Sequence, residues 1–377
     1  MPQPSFTDPL PTLGQPVEKL PTPAVVADLD VLDKNIETVR ELAERHDVDV
    51  CSHTKAHKSP ALARRQQRAF DGGLMCQKLS EAEVMVRHGL EDLLVVCPVV
   101  DDRKLDRLRW IADRADRFAT TVDGPGNIDP LCDAAGRHDT TIDVILEIDT
   151  GLERMGVEPG GPARAIAEHV RTRPNVELAG ILGHDSQVTY GAETESEFEA
   201  GCRDVVEKLE MTVDALEDAG IDPGRVISGS TATAPYVAEA DVVTDIDPGR
   251  YLFNDVEMIE HAPTVSAGDC GMTVHTTVIA RPTSDRAIVD VGSKTVSFLG
   301  SPLPVPKDRD DIEFFDKSSE HGYVDVSESE ASIEVGDRLE FIVPNLYGAV
   351  NLRETIPAVR DDRVEELWHV AARGKDK

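Results

Sequence analysis

From about residue 22 to 255, short apolar runs alternate with segments whose apolar residues recur every three or four positions. The runs read as strands: "AVVADL" (24–29), "VDVCSH" (48–53), "LMCQKL" (74–79), "DLLVVCPVV" (92–100), "FATTVD" (118–123), "IDVILEID" (142–149), "ELAGILGH" (177–184), "RVISGS" (225–230) and "DVVTDID" (241–247). Amphipathic helices are expected between them. One begins near Asp30, a candidate N-cap, and puts Leu32, Ile36, Val39 and Leu42 on one face. Another, "GCRDVVEKLEMTVDALEDAG", ends at Gly220, a residue suited to a helix C-terminus.

Buried strands alternating with helices imply a parallel sheet. Eight or nine strands over this span predict an α/β architecture, a (β/α)8 barrel of the TIM type covering residues 22–255. Nine candidates for eight places leave one strand outside the barrel. A doubly wound open sheet is the alternative, although no G-x-G-x-x-G follows the first run. Beyond about residue 256 the pattern turns to strands and turns alone: "GMTVHTTVIARP", "RAIVDVG", "GYVDVS", "DRLEFIVP" and "ELWHVAARG". This predicts an all-β domain over 256–377, with a Pro-rich arm (residues 1–21) able to pack beside it.

Charge narrows the partners. The chain of 377 residues has 39 basic and 71 acidic residues and a formal net charge of −32 at pH 7. The acids are spread through the sequence, as in "ETESEFEA" and "DVSESEASIEVGD". Such self-repulsion strains a compact state in dilute buffer, whereas at molar salt the Debye length falls to about 3 Å. A salt-rich cytoplasm is the expectation, and nucleic acid and anionic membranes are poor partners. Six cysteines without a CxxC pair or disulfide-like spacing read as small core residues in a reducing compartment. The first twenty residues lack the charged and apolar regions of a signal peptide. No apolar stretch reaches the roughly 18 residues of a membrane span.

Against this acidity, "SHTKAHKSP" (52–60) gathers two lysines and two histidines at the end of the second run. In a barrel, chemistry sits at the C-terminal ends of the strands. A solvated basic loop would account for the cluster. A metal site on His53 and His57 would too, but the flanking lysines oppose a cation. The third reading is a nucleophilic lysine, activated beside other cations and able to form a Schiff base with an aldehyde. Pyridoxal phosphate requires such a lysine and a phosphate cradle as well. "SGSTATAPY" (228–236) and "DPGRYLF" (247–253) offer small residues, hydroxyls and backbone N–H groups late in the barrel, where such folds often hold phosphate. "EIDTGLERMGV" (147–157) places Asp149, Glu153 and Arg154 beyond another strand, where a salt-bridged loop is the plain alternative.

These segments together resemble the fold-type III pyridoxal phosphate enzymes, the alanine racemase-like superfamily, and within it the D-threonine aldolase and D-serine dehydratase family. The likeness runs from "TPAVVADLDVLDKNI" through "HTKAHKSP", "CQKLSEAEVM", "EIDTGLERMGV", "GSTATAPY" and "PGRYLFND" to "SSEHGYVDV", "VGDRLEFIVPN" and "VAARG". It implies that Lys55 is the Schiff-base lysine, with Lys58 a neighbour that tunes it. Arg154 should face the cofactor ring and Gln77 lie near it. Gly229, Ser230, Thr231, Gly249 and Tyr251 should hold the phosphate. It also implies a homodimer acting on a small-molecule amino acid.

Two departures from the family pattern follow. The resemblance implies a divalent-metal motif of the "PNHxC" or "PHxD" type, but here the stretch is "PNLYGAVNL", with Leu346 and Gly348 at the ligand positions. Neither offers a side-chain donor, so no metal is assigned. His321 in "SSEHG" is family-like, and Tyr347 is new in the stretch. Secondly, "GILGHDSQV" puts His184 where relatives often carry tyrosine, making it a candidate proton-transfer residue; a core histidine is the alternative. The leading expectation is D-threonine aldolase-like cleavage of a D-3-hydroxy amino acid. The alternatives are a metal-independent amino-acid racemase, a D-serine dehydratase and a non-catalytic cofactor-binding protein.

Overall fold

A computed structural model describes residues 11–297, 300 and 302–377. Two compact units interleave along the chain. One comprises residues up to Lys34, Phe253–Glu257 and Ala267–Val370; the other comprises Asn35–Leu252, Met258–Ser266 and Ala371–Lys377. The first strand shows how they interleave. Strand β1 (Ala24–Asp28) pairs antiparallel with a strand at 272–283 and parallel with one at 355–360. The run "AVVADL" is therefore the ninth candidate, the one outside the barrel.

The barrel strands are β2 (Asp49–Val50), β3 (Ser52–His53), β4 (Leu74–Cys76), β5 (Asp92–Val95), β6 (Arg117–Val122), β7 (Ile142–Ile148), β8 (Val176–Gly183), β9 (Arg225–Ile227) and β10 (Asp245–Ile246). They form one all-parallel sheet ordered β2-β10-β9-β8-β7-β6-β5-β4-β3. Only Cys51 separates β2 from β3, and its N–H donates to Ile246 O at 2.8 Å. The two ends of the sheet are thus one interrupted stave, and eight staves enclose the interior. Cys51, Met75, Leu94, Val96, Ile145, Leu182 and Ile227 form a buried cluster contributed by several staves, with Ala119 and Ala179 against it. The interior is a packed core, as the fold demands.

The helix predicted near Asp30 spans Leu29–His46. Its first N–H groups are capped by Asp28, whose Oδ1 accepts from Asp30 N at 2.8 Å and Val31 N at 3.1 Å. The cap is Asp28 and not Asp30. The later helix covers Glu195–Asp218, and Gly220 follows it in the left-handed conformation (φ +66°) that a residue without Cβ adopts freely.

The other unit is built on β1, β11 (Met272–Thr283), β12 (Arg286–Val289), β13 (Val305–Pro306), β14 (Glu313–Lys317), β15 (Gly322–Asp325), β16 (Arg338–Ile342), β17 (Thr355–Arg360) and β18 (Arg363–His369). All pairs but β1–β17 are antiparallel. The pattern after residue 256 gave no helix, yet short helices occupy Val256–His261, Ser293–Val296 and Leu346–Asn351. Helices of four to six residues are too short to display a 3.6-residue period. Residues 1–10 of the expected N-terminal arm lie outside the described residues. Its remainder hydrogen-bonds along β18, through Gly14 N to Val364 O at 2.7 Å and Val364 N to Gln15 O at 2.9 Å. Among the described residues, no helix is long and apolar enough to cross a membrane.

Candidate active site

Every barrel residue predicted to act lies just beyond the C-terminal end of a strand. Lys55 sits in the single turn Thr54–Ala56 after β3. It is half-buried, and its Nζ donates to Gln77 Oε1 at 3.4 Å. The same oxygen stands 3.3 Å from His53 Nε2. Gln77 follows β4, and its Nε2 donates to Val96 O beyond β5 at 3.3 Å. The structure therefore brings Lys55, His53 and Gln77 together. His57, the other histidine of the cluster, is buried and points into the wall. Its Nε2 lies 2.9 Å from Gln66 Oε1, and its Nδ1 accepts from Ser59 N at 3.1 Å. Burial lowers its pKa to about 4. Fixed this way, His53 and His57 do not form a metal pair.

Burial and the Lys55 charge hold the pKa of His53 well below the usual imidazole value. His184, one residue past β8, is lowered to about 3 by burial and then by the fields of Lys55 and Arg154. Its carbonyl accepts the Thr150 hydroxyl at 2.7 Å. Both imidazoles are neutral at ordinary pH. Arg154 is half-exposed, 3.6 Å from Glu147 Oε1, and Glu147 is buried at the end of β7. The opposite oxygen, Glu147 Oε2, is buried without a partner. Burial raises Glu147 to about 7 against the opposing pull of Arg154.

The two glycine- and serine-rich turns meet. Thr231 Oγ1 accepts from Gly249 N at 3.2 Å, Arg250 N at 2.9 Å and Tyr251 N at 3.2 Å. A hydroxyl oxygen has two lone pairs, so three converging N–H groups exceed what it satisfies well. Such a group of backbone donors suits an anion. Gly229 is required where it stands: its φ is +115°, and a Cβ would fall 2.8 Å from Val237 Cγ2. A Cβ on Gly249 would fall 3.0 Å from His53 Cβ, so this glycine lets the second turn approach the lysine strand. Ser230 does not aim its N–H outward; it donates to Asp185 Oδ2 at 3.3 Å. Tyr251 is buried, its hydroxyl 3.2 Å from Ser52 Oγ and accepting from Gln66 Nε2 at 3.4 Å. Its backbone N–H, and not its phenol, joins the donors around Thr231.

Sequence reasoning missed the buried acids Glu147, Asp185 and Asp247. Asp185 takes the Thr233 hydroxyl at 2.5 Å on Oδ2 and leaves Oδ1 without a partner. Asp247 is pushed well above the carboxylate range by burial and by Asp185, against the pull of Lys55. Each lies within two residues of the end of a strand-like run, which is the signal that could have flagged it. Pyridoxal phosphate fits this donor set: an amine at Lys55, a guanidinium at Arg154, a surplus of N–H donors at 249–251 and buried carboxylate oxygens awaiting partners.

The stretch expected to carry a metal is differently built. Leu346 is fully buried, and its N–H donates to Asp255 Oδ2 at 2.7 Å. Asn345 caps the helix Leu346–Asn351, accepting from Gly348 N at 3.0 Å and donating to Glu257 Oε1 at 2.8 Å. A Cβ on Gly348 would lie 2.4 Å from Ser297 Cβ. Leu346 and Gly348 do not fit a divalent metal. His321 is exposed at the turn between β14 and β15, its Nδ1 3.4 Å from Ser318 Oγ. Tyr347 is half-buried.

Residues 27–255 match the family described as alanine racemase, N-terminal domain, and residues 271–357 match the putative serine dehydratase domain. A D-threonine aldolase from Arthrobacter sp is 30% identical over 362 residues, covering 96% of this chain and 95% of that protein. A 3-hydroxy-D-aspartate aldolase from Paracoccus denitrificans (strain Pd 1222) is 30% identical over 369 residues, covering 96% and 94%. The crystal structure of a D-threonine aldolase from Filomicrobium marinum superimposes with a TM-score of 0.92 at 31% identity, covering 97% of this chain and 99% of that one.

Proposed function

We propose, on the premise that this chain belongs to the alanine racemase N-terminal domain family, that it is a pyridoxal phosphate-dependent lyase cleaving a D-3-hydroxy amino acid to glycine and an aldehyde. The observation that carries this reading is near-full-length similarity to two aldolases of D-3-hydroxy amino acids, joined to a site with the donors the cofactor needs. When bound, the cofactor supplies an electron sink for the pair left on Cα as a bond there breaks.

The chain supplies the rest. Lys55 offers the primary amine for cofactor attachment. Neutral His53 beside it adds no second positive charge, and Gln77 Oε1 accepts from Nζ and orients it. The N–H groups of Gly249, Arg250 and Tyr251, with Thr231 and the space at Gly229, hold the phosphate. Ser230 acts through its position in that turn. Arg154 faces the ring, steadied by Glu147. His184 takes the proton from the substrate hydroxyl at an imidazole nitrogen. Burial is the larger cause of its low basicity, and the lesser one, the field of Lys55 and Arg154, weakens once anionic groups bind between them. No step is assigned to a divalent metal, since Leu346 and Gly348 offer no donors. That same observation favours a second reading, a metal-independent racemase acting on the Cα–H bond.

The deciding experiment loads wild type and Lys55→Ala with pyridoxal phosphate and supplies D-threonine and D-serine, with and without EDTA. Glycine and an aldehyde forming in EDTA, together with loss of the visible cofactor band in Lys55→Ala, is the expected result. A keto acid would mean a dehydratase, and an inverted stereocentre alone a racemase. Absence of turnover with the band intact would mean a binding protein.

We also infer a salt-rich cytoplasm, from the net charge of −32, and a homodimer by family likeness. Melting temperature should rise from dilute buffer to molar KCl, with light scattering giving twice the chain mass. A salt-independent melt or a monomeric mass would remove these two points.

A further inference from the structure

Lys55 is held at second hand. The hydroxyl of the preceding residue, Thr54, donates to Glu81 Oε1 at 2.6 Å. Glu81 Oε2 accepts the backbone N–H of Gln77 at 3.2 Å. Gln77 in turn presents Oε1 to Lys55 Nζ at 3.4 Å and to His53 Nε2 at 3.3 Å. One carboxylate therefore ties the turn that bears the lysine to the turn that bears the lysine's acceptor. It does so across two adjacent staves, β3 and β4.

Glu81 is 1% exposed. Burying a carboxylate is unfavourable unless its oxygens are hydrogen-bonded or paired. Both oxygens are engaged here, and Glu81 lies in the first turn of the helix Leu79–Arg87, where the helix dipole favours negative charge. An apolar residue in this place would pack without that penalty but would release both turns. The groups facing Glu81 are Thr54 and the Gln77 N–H, with Lys55 and Lys58 supplying positive charge; the Cys76 thiol lies close by, in contact with Thr54. The positive charge of Lys55 in turn bears on His53, His184, Asp247 and Glu81, of which the two imidazoles are neutral at ordinary pH.

We propose that Glu81 is a positioning residue for the reaction at Lys55. Its carboxylate fixes Thr54 and Gln77 in register and adds negative charge near the lysine nitrogen. This rests on the reading of Lys55 as the cofactor lysine.

The test compares wild type, Lys55→Ala, Glu81→Gln and Thr54→Val, each loaded with pyridoxal phosphate. The readouts are the visible band against pH, borohydride fixation of mass on the Lys55 peptide, kcat and KM. Glu81→Gln should still be labelled at Lys55, but its band should titrate about one pH unit lower, because a negative charge favouring the protonated lysine linkage is gone. Its kcat should fall about tenfold with KM held within about twofold, the pattern of misaligned chemistry and intact binding. Thr54→Val keeps the charge and loses one tether, so kcat should fall while the titration midpoint stays. Wild-type titration and turnover in Glu81→Gln would overturn the proposal. If Glu81→Gln fails to fold, unchanged kcat in Thr54→Val would overturn it instead. Missing label on wild-type Lys55 would fell the cofactor reading and this proposal with it, an outcome distinct from the first two.

Discussion

The two ends of the barrel both bury charge, and they treat it in opposite ways. At the N-terminal end, both carboxylate oxygens of Asp245 on β10 are matched, largely by Arg225 on β9. Asp245 accepts Arg225 Nε at 3.1 Å, Arg225 Nη2 at 2.5 Å and the Thr244 hydroxyl at 2.7 Å, while Nη2 also reaches Gly72 O at 2.8 Å. At the C-terminal end, Glu147 Oε2 and Asp185 Oδ1 are buried without partners, Arg154 stands 3.6 Å from Glu147, and three N–H groups crowd one hydroxyl. Buried polar groups in native proteins are normally satisfied. Where one end of a barrel satisfies them and the other leaves them wanting, the wanting end is the one that expects a ligand. The contrast supports the proposed place of the chemistry without appeal to any relative.

It can be broken most forcefully at the matched end. Asp245→Asn leaves the Arg225 guanidinium with an amide in place of its anion, beside the seam where β10 meets β2 and β9. Removing one partner of a buried pair costs about 3–5 kcal/mol; because the Arg225 side chain is 34% exposed, about 3 kcal/mol is expected. Urea unfolding should show the loss, while the folded variant keeps the cofactor band and kcat. A large fall in kcat without a stability change would mean that this end takes part in the chemistry, and the contrast would fail.

Much of this was legible in the sequence, and the illegible part has a physical pattern. Eight barrel staves were readable because each carries an apolar segment within a strand–helix alternation. The placement of "AVVADL" was not, since a strand's period says which residues are buried and not which neighbour it pairs with. Lys55 stood out because two lysines and two histidines are rare in so acidic a chain. Glu81, Glu147, Asp185 and Asp247 did not, because each is one acid among 71. Only burial separates them from the solvated majority. His57 and His53 read alike in sequence, and only the fold shows that one faces Gln66 in the wall and the other Gln77 at the site. The short helix at Leu346 was hidden for want of length, although its cap, Asn345, is a residue type that favours that position.

A smaller effect sharpens the contrast at the wanting end. Glu147 holds its proton to about pH 7, whereas the ordinary value is 4.5. Between those two values the folded state binds more protons than the unfolded chain, so stability falls as pH rises from about 4.5 to about 7 and then levels. Glu147→Gln removes that dependence. The shift sets an upper bound of about 3 kcal/mol with the attraction to Arg154 already counted in it, and an amide that fits the acid's place less well brings the expected gain nearer 1–2 kcal/mol. The variant should therefore match or fall slightly below wild type in urea at pH 4.5 and exceed it at pH 8. A conventional ion pair predicts the reverse: a carboxylate held below its ordinary value by Arg154 would make the substitution most harmful at high pH. The sign of that difference, measured in the unloaded protein, decides whether Glu147 is a poised acid or a settled partner. Bound pyridoxal phosphate should then enlarge the gain, because anionic groups facing Arg154 weaken the field that favours the Glu147 carboxylate.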